Sequence, residues 1–312
     1  MVSFESDGKK VSPKISKISM LISAILMGNV GLLVTVLEKY STFTLVLLRG
    51  LFGTLFLTLF MVKNRSFSFD FFKESFKLHW KWLIVVGILN PIVIYLYFMN
   101  IIISGYAMAA FLLYTNGIFV IVFLIAFKIE KVSRVTIISF ILAIIGVAII
   151  MEFWNGLQLS LGVILGILSG LSLAILVFGK KMIYRERDKE TTNINANGNF
   201  DTFMAWWPTL LLVVLFLPLD GAELVDLTLV DLFFALILGL FPTALAFALY
   251  NVGVKNDKGG NIIIIAYLEP VMATINNIII NLITSQQALS IFVIIGGALI
   301  LLANIIVLKY SK

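Results

Sequence analysis

Apolar and polar positions along this chain alternate in blocks, not residue by residue. Apolar runs cover about 18–36, 42–62, 82–103, 106–127, 135–151, 160–183, 202–219, 231–253, 261–283 and 290–309. Each is close to the ~20 residues a helix needs to cross a bilayer, so the pattern predicts ten transmembrane helices. Turns at Ser104-Gly105 and Ser285-Gln286-Gln287 are short. The long polar segments are Lys63 to Lys81 and Lys180 to Asn199. The second carries Arg185-Glu186-Arg187-Asp188-Lys189-Glu190 and an Asn/Thr/Gly-rich tail, and predicts a flexible linker over about 184–200. Residues 1–17 are polar, and the first apolar run is full length without a small-residue cleavage site. It reads as a retained span, not a signal peptide.

Composition agrees. Of 312 residues 61% are hydrophobic and 13% charged, against about 25% charged in soluble domains. Zero Cys and a single His, His79, exclude a disulfide framework and argue against a Cys/His metal site. The net charge of +6 does not point to nucleic acid, because the basic residues lie between apolar runs. All Lys and Arg except Lys39 and Arg49 fall in alternate polar segments: 1–17, 63–81, 128–134, 180–189, 255–258 and 309–312. The opposite set carries Glu38, Glu152, Asp220, Glu223 and Asp226. By the positive-inside rule both termini face the cytoplasm of a multi-pass protein in the cell membrane.

The two halves, 18–151 and 160–310, look alike. Gly87-Ile88-Leu89-Asn90-Pro91 returns as Gly239-Leu240-Phe241-Pro242, Asn100 as Asn251, and Tyr114-Thr115-Asn116-Gly117 as Tyr267-Leu268-Glu269-Pro270, about 152 residues later. Five spans per half is an odd number, so the second copy must enter the bilayer from the opposite side. The expected fold is all-α, with ten transmembrane helices as two inverted five-helix repeats and a site near the midplane between them.

Away from their ends, the runs hold two charged residues, Glu269 and Arg49. A charge at a helix centre costs about 2.5–3.5 kcal/mol on insertion scales, so each needs a reason. Glu269 is followed by Pro270, which lacks an N–H and is expected to break a backbone bond inside the span. Pro270, Thr274, Asn277 and Asn281 continue one helical stripe. Glu269 can hold a substrate ammonium or take up a proton; it can equally be a structural acceptor between helices. Arg49 can grip a carboxylate, or snorkel to an interface ~10 Å away.

Asn29, Asn90, Asn116 and Asn251 can line a polar cavity or bond between helices, as can Asn100. Tyr114, Tyr250 and Tyr267 can wall a pocket. Pro91, Pro242, Pro270, Gly87 and Gly239 are candidate hinges. Gly166 and Gly170 form a GxxxG pair that fits packing within the fold or dimerisation. Trp80, Trp82, Trp206 and Trp207 fit an interface belt. The run from Lys180 to Lys189 reads as a solvated orientation signal, and His79 as a loop residue without a nearby nucleophile.

Gly28-Asn29 followed by Arg49, Gly117 to Glu130 with Lys131-Val132-Ser133, Tyr267-Leu268-Glu269-Pro270, and Gly296-Gly297-Ala298-Leu299-Ile300-Leu301 resemble, in order and spacing, the EamA type of the drug/metabolite transporter superfamily. Two departures stand out: Gly117 replaces a usual Pro, and no acidic residue precedes the last span. The resemblance implies a secondary transporter, often an exporter, of small organic metabolites such as amino acids, working by alternating access. One acid and one base in the membrane favour zwitterions over nucleotide sugars or other phosphorylated solutes. The implied partners are a small-molecule solute, the lipid bilayer and protons as coupling ion. No cofactor, metal or nucleic acid is implied, and the chain would act as a monomer or homodimer. An integral-membrane lipid-modifying enzyme or a non-transporting scaffold are the readings of another class. No catalytic constellation or Walker loop is present in the sequence, so an enzyme is not expected.

Overall fold

The computed structural model describes residues 12–64, 67–129, 131–150, 152, 154, 161–187, 200–257, 262–283 and 291–310. The linker residues 188–199, Glu130 and the Ser285–Gln287 turn lie outside the described residues, as do the side chains of Asn277 and Asn281. Among the described residues every regular element is helical: α1 (Pro13–Met27), α2 (Val30–Val36), α3 (Thr42–Lys63), α4 (Phe69–Ser104), α5 (Tyr106–Leu113), α6 (Asn116–Ala126), α7 (Arg134–Ile150), α8 (Leu161–Arg187), α9 (Phe200–Asp220), α10 (Leu229–Gly239), α11 (Ala246–Lys255), α12 (Leu268–Ile283) and α13 (Ile291–Tyr310). By length and composition, six stretches among the described residues can cross a membrane: Pro13–Val36, Thr42–Lys63, Phe69–Ser104, Leu161–Arg187, Phe200–Leu219 and Leu229–Lys255. Asn116–Ala126, Arg134–Gly146 and Ile264–Asn276 are shorter apolar helices.

Local chemistry sets the helix starts. Ser12 caps α1 by accepting from the Ile15 N–H, with Pro13 in the first turn, where its missing donor costs nothing. Ser41 and Ser68 cap α3 and α4 in the same way. Thr228 and Asp231 form a reciprocal capping box on α10. Asp231 also accepts from Lys39 and Tyr40, at 2.8 Å each, tying the loop before α3 to α10. The bond to Asp231 raises the Lys39 ammonium above its ordinary pKa. Gly105, at φ +79°, turns the chain sharply between α4 and α5, a conformation that a side chain would strain.

Polarity is arranged with apolar residues outward. On α1, Ile15, Ile18, Ile22 and Ile25 are exposed at helical spacing, while Ser16, Ser19 and Ser23 are buried. On α4, Ile84, Ile88 and Ile92 repeat the exposed stripe. A soluble protein would reverse this; a lipid solvent requires it.

Helices pair off across the bundle: α4 lies on α8, α1 on α11, α3 on α9, and α7 on α13. Small residues permit the closest approaches. A Cβ on Gly166 would lie 2.4 Å from the Leu112 Cβ, and one on Gly170 3.0 Å from the Leu112 carbonyl. The GxxxG pair is therefore used inside the fold, against α5.

Three features differ from the sequence expectation. First, Lys63 to Lys81 is not simply a polar loop, because α4 starts at Phe69. Its Phe72 stacks on Trp206 of α9, and Phe71 and Phe76 meet Phe203 and Trp207 edge to face; that aromatic face holds the segment helical. His79 is accordingly buried and lies 3.1 Å from Glu186. Second, α8 continues to Arg187, and Lys180 and Lys181 are buried instead of solvated. Third, Pro270 does not interrupt a helix. The chain runs as a 3-10 turn over Ile263–Tyr267 and starts α12 at Leu268, which puts Pro270 in a first turn. Its absent N–H is one that has no partner there in any case.

The other interruptions are at Gly28-Asn29 between α1 and α2, at Tyr114-Thr115 between α5 and α6, and a π segment over Leu240–Leu245 containing Pro242. Pro91 sits inside α4, whose non-helical residue is His79. Gly239 packs on the backbone of α3: a Cβ there would fall 2.6 Å from the Phe52 carbonyl carbon. Gly239→Ala is expected to cost about 1–3 kcal/mol through overpacking and to lower the thermal midpoint in detergent. Gly297→Ala, which meets nothing within 4 Å, should be neutral or slightly stabilising. Equal midpoints for Gly239→Ala and wild type would refute this account of the α3–α10 packing.

Candidate functional site

Glu269, Arg49, Lys180, Asn90, Asn116, Tyr97, Tyr114 and Tyr250 converge on one cavity of about 60 Å³ inside the bundle. It has room for a few waters, far below the several hundred Å³ typical of small-molecule sites. Met27, Val93, Leu173, Leu176 and Phe247 supply its apolar wall.

Helix interruptions build the acidic side. Glu269 is 1% exposed and sits in the first turn of α12, where free N–H groups and the helix dipole favour a carboxylate. The Tyr114 hydroxyl donates to its Oε2 at 2.5 Å. Tyr114 lies at the α5–α6 break, and its carbonyl accepts from the Tyr267 hydroxyl at the end of the 3-10 turn. The two rings are 5.0 Å apart. The two breaks thus brace one another, and Tyr267 holds Tyr114 without lining the cavity itself. Gly117 makes room for this: a Cβ there would lie 2.4 Å from the Tyr267 hydroxyl. Asn116 opens α6, and its Oδ1 is buried without a hydrogen-bond partner among the described residues, as is the Tyr97 hydroxyl.

The basic side comes from α3 and α8. Arg49 is 2% exposed, so it does not snorkel. Its Nε donates to the Thr243 hydroxyl at 3.1 Å and its Nη2 to the Pro242 carbonyl at 3.2 Å. The π segment offers both acceptors, and Thr243 in turn donates to the Leu238 carbonyl at 2.7 Å. Phe98 and Phe247 lie against the guanidinium, their centroids 5.5 and 5.1 Å away. Lys180 is 4% exposed and donates to the Asn251 Oδ1 at 2.8 Å.

Sequence reasoning missed Lys180. It closes an apolar run and opens a charged one, so the sequence alone reads it as part of a solvated orientation signal. Its register was the available signal: Leu173, Leu176 and Lys180 share one helical face. Its neighbour Lys181 is also buried, but pairs with Asp257 at 2.8 Å.

Other expected site residues lie elsewhere or serve differently. Asn29 donates to the Ile25 carbonyl and accepts from Asn276, which also donates to Gly28. It therefore satisfies the α1–α2 break rather than lining the cavity. Asn251 reaches the site only through Lys180, and donates to the Asp201 carbonyl at 2.9 Å. Asn90 lines the cavity and donates to the Pro208 carbonyl at 3.1 Å. Gly87 lies against Trp207 and Leu211.

Tyr114→Phe should leave a buried Glu269 oxygen short of its donor and cost about 1–3 kcal/mol of stability. Thermal denaturation of the purified variant measures this. A midpoint equal to wild type would mean that the Tyr114–Glu269 bond carries no net weight.

The model of the EamA-like transporter family matches residues 14–152 and 160–303. An uncharacterized transporter from Archaeoglobus fulgidus is 26% identical over 284 residues, covering 91% of this chain and 92% of that relative. A solved crystal structure shares the fold at a TM-score of 0.69 and 14% identity, over 95% of this chain and 96% of its own.

Proposed function

The chain belongs to the EamA-like transporter family and is a multi-pass membrane protein, and from that premise we propose that it carries small organic metabolites such as amino acids across the cell membrane by alternating access. The observation that carries the reading is the buried cavity walled by Glu269, Arg49 and Lys180. Charges kept from both lipid and bulk water have their use in a solute that comes and goes.

The architecture we propose is ten spans in two inverted five-helix repeats. The helix pairings support it. Exchanging the halves maps the α4–α8 contact onto the contact of α1 with α11. It maps α6–α8 onto α1–α12, and α4–α9 onto α3–α10. The α3–α9 and α7–α13 pairs map onto themselves. Tyr114 and Tyr267, matched by the internal likeness of the sequence, each stand at a helix break, which supports the reading. The stretches matched by the family model, 14–152 and 160–303, divide the chain at the same place as the internal likeness.

Export, with protons as the coupling ion, is the direction this reading takes. Glu269 would exchange a proton or hold a solute ammonium as the cavity opens to alternate sides. Pro242, Gly239 and the Tyr114 and Tyr267 breaks are where the bundle would bend.

Proteoliposomes preloaded with a panel of labelled amino acids test the transport reading. Wild type should show counterflow of at least one, and Glu269→Gln should cut it about tenfold or more while the protein remains folded. No flux of any member would overturn the reading; flux insensitive to a pH gradient would remove only the proton. Topology is testable separately, because the sequence holds no Cys. Lys39→Cys should react with a membrane-impermeant maleimide in intact cells, and Lys77→Cys only after permeabilisation. The reverse result would invert the proposed orientation.

A further inference from the structure

Resting on the transport reading, the structure assigns a second element of the cavity: we infer that Arg49 and Lys180 form an anion subsite, so that the solute carries a carboxylate or phosphate and more negative than positive charge. Three observations meet here. Both cations are buried and line the same cavity. No carboxylate among the described residues pairs with either at salt-bridge distance, although Lys181, one residue on, has Asp257 at 2.8 Å. And both cations keep donors in reserve.

The donor inventory makes the third point concrete. A guanidinium has five N–H donors, and Arg49 uses two, on Thr243 and Pro242. An ammonium has three, and Lys180 uses one, on Asn251. The two groups share a wall. Arg49 lies 5.1 Å and Lys180 6.0 Å from the centroid of the Phe247 ring, so they are at most about 11 Å apart. One small solute can reach both. Glu269 is the opposing charge, with one oxygen already held by Tyr114. With all three groups ionised the cavity lining is cationic by one charge, and an unpaired buried cation is costly until an anion arrives.

This reverses the sequence-level preference for zwitterions over nucleotide sugars and other phosphorylated solutes, which rested on counting Arg49 as the one base in the membrane. An amine on the solute is compatible, since Glu269 can accept it, but the acidic group is the required feature.

Near-isosteric pairs isolate the charge, L-glutamate against L-glutamine and succinate against succinamide, and glycerol 3-phosphate against glycerol tests the whole phosphoryl group. Binding to the purified full-length protein is read as ligand-induced thermal stabilisation, and flux is read in proteoliposomes with the same probes. In at least one pair the charged member should bind about tenfold or more tightly than its neutral partner. Lys180→Gln should bring that ratio near unity, and Lys180→Arg should restore it. Lys181→Gln, which breaks a structural pair, should lower stability yet keep the ratio. The glutamate and glycerol 3-phosphate arms tell carboxylate from phosphate. Equal binding within every pair, no binding of any charged probe, or a ratio that survives in Lys180→Gln would each overturn the subsite. If Lys180→Gln does not fold, the wild-type ratios still decide. Charge-selective binding without flux would sink the transport reading and leave the subsite standing. Flux without charge preference would do the opposite.

Discussion

Hydrocarbon offers a polar atom nothing to bond with, and that single fact dictates where the polar side chains of this protein lie. Isoleucines form the outer stripes of α1 and α4, and serines lie within. The same rule explains why Arg49, Lys180 and Glu269 share a cavity. Each is too costly to place in lipid alone, and inside the bundle each finds hydroxyls, carbonyls and aromatic faces.

Backbone irregularity follows the same rule. Broken helices are tolerated in a membrane only where the freed groups meet other protein or a wet space. Here each break is answered. Asn276 and Tyr106 donate to the Gly28 carbonyl, Tyr267 to that of Tyr114, and Arg49 to that of Pro242. The breaks are therefore part of the site: they supply the acceptors that orient Arg49 and the helix start that presents Glu269. A regular bundle of the same composition would offer neither.

Much of this was legible in the sequence, because bilayer thickness is a strong constraint on run length. The apolar runs and the elements they became differ by only a few residues at most ends, as for 42–62 against Thr42–Lys63. Glu269 and Arg49 stood out because charge within an apolar run is rare. Lys180 did not, because a lysine at the edge of a run looks the same whether it faces water or folds back along a helix face. The Phe69–Trp80 segment was hidden for a related reason. Its lysines and acids masked an aromatic face that becomes apparent only once α9 is set against it. Pro270 was misread because a 3-10 turn before it changes what its missing N–H means, and composition does not reveal that turn.

The narrowness of the central hollow has an energetic meaning. At about 60 Å³ it would have to widen to admit a metabolite of the proposed kind, so part of that solute's interaction energy would be spent parting helices. Measured affinity would then understate the strength of the contacts, by the free energy that separates the closed bundle from the widened one. A carrier gains from that shortfall. A ligand held too weakly to stay bound is one that can be released on the far side.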